Sequence, residues 1–211
     1  MTAGFSQRAL RHPSFLVGGA LTMLLLLAAT LSLVWTPWPV FDVNMPGKLA
    51  SPSAAHWLGT DPFGRDVASL LLVGARNSIL VGVIAVGIGM TIGTLLGLIA
   101  AACKGWVEEL IMRLSDFTFA FPAILSAIMM TAVFGAGIVN SIIAIGIFNI
   151  PTFARVTRAS ANAIWSREFI LAARACGKGP MRITLEHVLP NILSVLVVQG
   201  TIQFALAILA E

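Results

Sequence analysis

The sequence predicts an all-α, polytopic transmembrane bundle, and three observations carry that expectation. Hydrophobic residues make up 58% of the 211 residues and charged residues only 10%; the mean hydropathy of +0.94 lies far outside the range of a soluble domain. Five apolar stretches, Phe15–Trp35, Ile79–Ala102, Phe117–Phe134, Gly135–Phe153 and Ile192–Leu209, are each long enough at helical rise to cross roughly 30 Å of hydrocarbon. Cationic residues are distributed unevenly between them. With the N-terminus inside, the inner segments hold Arg8, Arg11, Lys104, Arg113, Arg155, Arg158, Arg167, Arg174, Lys178 and Arg182, and the outer ones only Lys48, Arg65 and Arg76, which favours that orientation.

In chain order, residues 1–15 form a cytoplasmic N-terminal segment and 16–35 a first anchor helix. This stretch has neither a strongly basic leader nor a small-residue cleavage site before Trp35, so it is expected to be a retained span and not a signal peptide. Residues 36–76 form an extracytoplasmic loop containing His56-Trp57-Leu58-Gly59-Thr60-Asp61-Pro62-Phe63-Gly64-Arg65-Asp66-Val67. Its turn formers Gly59, Asp61-Pro62 and Gly64 alternate with hydrogen-bonding side chains, and Asp61 or Asp66 can cap a helix starting at Val67. The run fits a self-folding surface loop or a contact with a delivery protein.

Residues 77–211 form the membrane core. In the second span Gly89, Gly93 and Gly97 recur every four residues, a face that lets a neighbouring helix approach closely where lipid supplies no hydrophobic drive. The third and fourth spans are separated by Gly135-Ala136-Gly137, enough for a tight helical hairpin. Asn140 and Asn149 in the fourth span, and Gln199 and Gln203 on one face of the fifth, are costly in hydrocarbon; they are expected to bond between helices or to line a polar path. Met129, Met130 and Phe134 suit packing or lipid contact.

Between the last two spans lies a basic loop, 154–190. Ser166 can cap a short helix, Glu168 suits its first turn, Arg174 its last, and Gly177 supplies the left-handed residue that stops it. Pro180 can open a second helix reaching about Val188, before Pro190 breaks it. A hairpin of this kind either lies on lipid or docks on another protein. It holds most of the excess charge of +4, which anionic headgroups account for without nucleic acid.

The loop resembles the EAA loop of ABC importer permeases: Ala172, Ala173, Gly177 and Leu189-Pro190 match, while Leu171 replaces the name-giving acid. The resemblance implies an ATPase-coupling set of Glu168, Phe169, Leu171, Ala172, Ala173, Arg174, Gly177, Leu189 and Pro190. The outer run, with Gly59, Thr60, Asp61, Gly64, Arg65 and Asp66, succeeded by Gly74-Ala75-Arg76-Asn77-Ser78, is similar to the signature of the second membrane subunit of dipeptide, oligopeptide and nickel importers. Arg113-Leu114-Ser115-Asp116 with Phe121-Pro122 resembles the same pattern. A type I, MetI-like permease fold with six spans, five of them visible here, is implied by the resemblance. So are a homologous second permease, two ABC ATPase subunits that bind ATP and Mg, and an extracytoplasmic solute-binding protein. The solute would be a peptide, with nickel or glutathione as alternatives. An end at Ala210-Glu211, directly after an apolar stretch, leads us to expect a truncated chain.

Catalysis by this chain is not expected. Gly177-Lys178 lacks the upstream glycine, the following Ser or Thr and the preceding strand of a phosphate-binding loop. His12, His56 and His187 are scattered and form no metal-ligand pair, and Cys103 and Cys176 have no paired spacing. No cofactor is expected on this chain. The rival classes are an ATP-independent secondary carrier or channel, which would transport alone, and a membrane scaffold that only recruits a partner.

Overall fold

The structure is a computed structural model that describes residues 12–121, 123–135 and 137–210. Arg8, Arg11, Pro122, Ala136 and Glu211, used in the sequence reading, lie outside the described residues. Among the described residues the chain is helical apart from loops and one isolated bridge between Thr60 and Asp66. It forms two compact units that divide between Ile79 and Leu80.

The first unit contains α1, Pro13–Val34, whose proline sits in the first turn where its missing N–H costs nothing. A folded loop with a short 3₁₀ turn at Met45–Gly47 comes next. Helix α2 then spans Val67–Cys103 and passes from this unit into the other. It starts twelve residues before the expected span. Asp66 is the reason: its Oδ2 accepts hydrogen bonds from the backbone N–H and hydroxyl of Ser69, both at 2.8 Å. Of the two candidate caps, then, Asp66 opens the helix, and Asp61 serves a turn instead.

In the second unit, Lys104 and Gly105, both at positive φ, turn the chain into α3, Gly105–Ala120. Helix α4 covers Ala123–Phe134 and α5 covers Ile138–Trp165. The expected third span, Phe117–Phe134, is thus not one helix. Phe121 precedes a proline and is extended, at φ −89° and ψ 124°, as the clash with a proline ring requires; the 12 residues of α4 then rise only about 18 Å. Four helices among the described residues are long and apolar enough to cross a membrane, Pro13–Val34, Val67–Cys103, Ile138–Trp165 and Pro180–Ala210, in place of the five expected stretches.

Two further expectations are corrected. The fourth span does not end at Phe153: α5 continues through the buried Pro151 to Trp165, taking in residues assigned above to the loop 154–190. Arg155 and Arg158 are accommodated there by carboxylates of α3, Asp116 and Glu108, the latter pair at 2.5 Å. Likewise Pro190 does not break the chain. Helix α6, Glu168–Ala175, leads to α7, Pro180–Ile183, a π-helical turn at Thr184–Val188, and α8, Leu189–Ala210, the last three in unbroken succession. The widened turn carries the helix into the proline: Leu189 N–H bonds to the carbonyl of Thr184, five residues back, and one residue beyond Pro190 the side chain of Asn191 donates through Nδ2 to the carbonyl of His187 at 2.6 Å.

One buried cluster runs through this unit. Phe153, Ala161 and Trp165 of α5, Ile170 and Ala173 of α6, Ile183, Val188, and Ile192 and Leu196 of α8 pack with Val86, Leu98 and Ala101 of α2. The short helix between spans is therefore anchored in the same core as the spans.

Candidate functional site

Three regions carry the residues singled out above. The first is the hairpin of α6 and α7. Glu168 occupies the first turn of α6 and Arg174 its last, each favourable to the helix dipole. The first cap is not Ser166, which terminates α5 and donates to the carbonyl of Ala163 at 3.0 Å. A Schellman motif closes the helix: Gly177 N–H bonds to the carbonyl of Arg174 at 2.9 Å and Lys178 N–H to that of Ala173 at 3.2 Å. It requires Gly177 at φ +78°, a conformation costly for any residue with a Cβ.

The two alanines face opposite ways. Ala173 is buried in the core with Ile170, whereas Ala172 is exposed. Of this pair, only Ala172 offers a partner a small exposed side chain; Ala173 accommodates this chain's own spans. Phe169, Leu171, Met181 and Leu185 are exposed along the hairpin. Phe169 stands edge-on to His187, centroids 6.3 Å apart, and the Arg174 guanidinium lies 5.1 Å from the ring centroid of Trp165. A polar brace fixes the second arm. Glu186 accepts from Lys178 Nζ at 2.6 Å and from Arg182 Nε at 2.5 Å, and Lys178 Nζ lies 3.1 Å from Nε2 of His187. Leu189 is half-buried and Pro190 exposed in the first turn of α8.

The second region is a cavity of about 600 Å³ in the 80–211 unit. Phe119, Phe121, Phe148, Thr152, Asn149 and Gln203 are among its lining residues. Asn149 is 6% exposed, and its Nδ2 has no hydrogen-bond partner among the described residues. The other two candidate path residues lie elsewhere. Nδ2 of Asn140 donates to the carbonyls of Phe134 and Gly135, at 3.0 and 2.7 Å, satisfying the end of α4. Gln199, one turn before Gln203 on α8 and half-buried, is not part of the lining. The phenylalanines and Thr152 went unnoticed in the sequence because large apolar residues in a span carry no signal of which way they face. Behind the cavity wall runs the glycine seam. A Cβ on Gly89 would stand 2.3 Å from Cβ of Asn149, one on Gly93 2.5 Å from the carbonyl of Ile150, and one on Gly97 2.5 Å from that of Ala154.

The third region is the outer run. Nearly every polar group in it is satisfied inside the loop. The hydroxyl of Thr60 donates to the carbonyl of Gly47 and accepts from Ala50 N–H. Asp61 Oδ1 accepts from the N–H groups of Phe63 and Arg65, and its Oδ2 pairs with the Arg65 guanidinium at 2.7 Å. Partial burial pushes the Asp61 carboxyl up, but the Arg65 and Phe63 amides and the Arg65 charge outweigh it and hold it below the usual range. The same balance, with Ser69 and His56 as donors, lowers Asp66, whose Oδ1 lies 3.0 Å from Nδ1 of His56. Gly59 N–H bonds to the carbonyl of His56. Gly64, at φ +74°, leaves no room for a side chain, because its Cβ would lie 1.8 Å from the carbonyl oxygen of Asn44. This is the geometry of a loop that folds on itself, the first of the two readings made from sequence.

Residues 89–211 match the family model described as the binding-protein-dependent transport system inner membrane component. A dipeptide transport system permease protein of Alkalihalophilus pseudofirmus is 44% identical over 168 residues, covering 80% of this chain and 55% of the relative. Glutathione transport system permease proteins of Pectobacterium atrosepticum and Escherichia coli are 37% and 42% identical, covering 97% and 96% of this chain and 68% of each relative. The chain thus spans between about half and two thirds of the length of these relatives. With four helices able to cross a bilayer and the family model matched over 123 of its residues, from 89 to 211, the chain is a multi-pass inner-membrane protein and belongs to the family of inner-membrane components of binding-protein-dependent transport systems.

Proposed function

We propose that this chain is a permease subunit of an ATP-driven ABC importer, that it forms part of the translocation path for a peptide or a related small solute, and that it takes up work through the α6–α7 hairpin. A homologous second permease completes the path, two ABC ATPases bind ATP and Mg below, and an extracytoplasmic binding protein delivers the solute. The N-terminus lies in the cytoplasm. The chain itself performs no catalysis. The observation that carries this reading is the hairpin's double character: Phe169, Leu171 and Met181 are exposed, while Ile170, Ala173 and Ile183 in the same helices belong to the core of the spans. A partner that displaces the exposed side must displace the bundle with it.

The cavity supports the solute class. Its amides, Asn149 and Gln203, and its phenylalanines suit the hydrogen-bonding and apolar groups of a peptide better than a divalent cation, which requires charged or imidazole ligands. The relatives named for glutathione keep that tripeptide as an alternative.

The test is Leu171→Arg in the assembled transporter. Uptake and ATPase co-purification should fall at least about tenfold, as expected for a charge placed in a desolvated contact, with unchanged membrane insertion and thermal stability. Retention of full uptake and of the ATPases would refute the coupling role, and uptake by the chain alone under an ion gradient would establish the rival carrier.

A further inference from the structure

The loop between α1 and α2 folds on itself, yet it leaves its largest apolar side chains outside. Trp35 comes directly after the last residue of α1, Val34, which is 89% exposed. Trp57, 61% exposed, packs against Trp35 with ring centroids 6.1 Å apart, and exposed Leu58 is next to it in the chain. Trp38 stacks on His56 at 5.0 Å; its indole Nε1 donates to the carbonyl of Ala55 at 2.8 Å. The backbone N–H of Trp38 donates to Oγ of Ser69 at 2.9 Å. That bond ties the chain leaving α1 to the first turn of α2, so Trp38 is held beside the C-terminal end of α1.

Charge points the same way. Asp61 is paired with Arg65, and Asp66 with His56 and Ser69, so the acidic groups in the run beside the exposed indoles are held inside the loop, with Asp42 and Lys48 as its other exposed charges. Contiguous exposed apolar surface of this kind marks a contact with lipid or with another protein. Tryptophan is enriched at the level of lipid headgroups because its ring is apolar and its N–H polar. The exposed surface is also continuous with the exposed apolar residues of α1, Leu33 and Val34.

We propose that the Trp35, Trp38, Trp57 and Leu58 surface is a membrane-interface platform, on which the loop lies in the headgroup region of the leaflet at the C-terminal end of α1 instead of projecting toward a soluble partner. The occupant of this surface is phospholipid. The proposal does not depend on the transport reading or on which leaflet faces the cytoplasm.

The experiment uses the complete transporter in phosphatidylethanolamine–phosphatidylglycerol nanodiscs, with Cys103→Ser and Cys176→Ser, carrying Trp57→Cys or Leu58→Cys labelled with an environment-sensitive fluorophore. Spin labels near the headgroup should quench the fluorophore about threefold more than spin labels near the acyl-chain end, the signature of burial at the headgroup boundary. Aqueous iodide should have little effect, and soluble binding protein none. Efficient iodide quenching without lipid quenching would overturn the proposal, and so would shielding that develops only when the binding protein is added. The two labelled positions are neighbours, and Leu58→Cys, which leaves every indole in place, decides the question if Trp57→Cys fails to assemble.

Discussion

Gly93→Ala adds a single methyl group to α2, and the surroundings of that methyl are fixed by backbone. Its Cβ would lie 2.5 Å from the carbonyl oxygen of Ile150, 2.6 Å from Cβ of Phe153 and 3.0 Å from the amide nitrogen of Ala154. None of these can rotate away, so α2 and α5 must move apart by roughly 1 Å to restore ordinary contact. A gap of that size forfeits a quarter to a half of the dispersion energy along the seam, and overpacking of a tight core costs about 1–3 kcal/mol; we expect a loss of about 2 kcal/mol. Gly97→Ala should behave alike, with Ala154 and Thr157 in the way. The double variant should lose clearly less than the sum, because a seam already opened at residue 93 has room at 97. Gly87, also in α2, has nothing within 4 Å of a built Cβ; Gly87→Ala should be neutral or stabilising by about 0.5–1 kcal/mol, through helix propensity alone. Thermal denaturation in mild detergent, monitored by intrinsic tryptophan fluorescence, separates these outcomes. Equal stability of Gly93→Ala and Gly87→Ala would refute the close-packed seam, and full additivity of the double variant would refute the rigid separation of the two helices.

Asn149→Leu removes a buried amide whose Nδ2 has no partner among the described residues; stability should hold or rise by about 1 kcal/mol while uptake by the assembled transporter falls, and a parallel loss of both in denaturation and transport assays would argue for a structural role. Gly177→Ala places a Cβ at φ +78° and should destabilise the end of α6 by about 1–2 kcal/mol, visible as faster amide exchange at Lys178. Asp66→Ala removes the cap on α2 and should cost about 1 kcal/mol. The Asp66 pKa is lowered in the folded protein, so its stabilisation is fully present above the unfolded value of about 4 and fades as pH falls from there through the lower folded value. Exchange protection of the Ser69 amide against pH should show that loss in the parent and a flat profile in the variant.

The apolar stretches and the hairpin signals at Glu168, Arg174 and Gly177 were legible from sequence because each rests on a local rule. Proline was misread where tertiary context overrides such a rule. Pro190 looks like a terminator, but the helix continues into it through a π turn in which the Leu189 N–H bonds to the carbonyl of Thr184; before Pro122, by contrast, the rule held at Phe121. Candidate path residues divided according to facts the sequence lacks. Asn140 and Asn149 carry the same side chain in the same helix, and one satisfies a helix end while the other lines a cavity. Arg155 and Arg158, counted in the sequence as loop charges, turned out to bridge α5 to α3; their partners at 116 and 108 are too distant in sequence for any periodicity to reveal.

The π turn at Thr184–Val188 sets the phase of every later residue in its helix. One surplus residue turns the side chains beyond it by about 100° about the axis, so the azimuth at which Gln203 meets the cavity is dialled by a bulge that ends fifteen residues earlier, at Val188. Excising a single residue there would leave composition, hydropathy and length almost untouched, yet it would aim a different stripe of the final helix at the cavity.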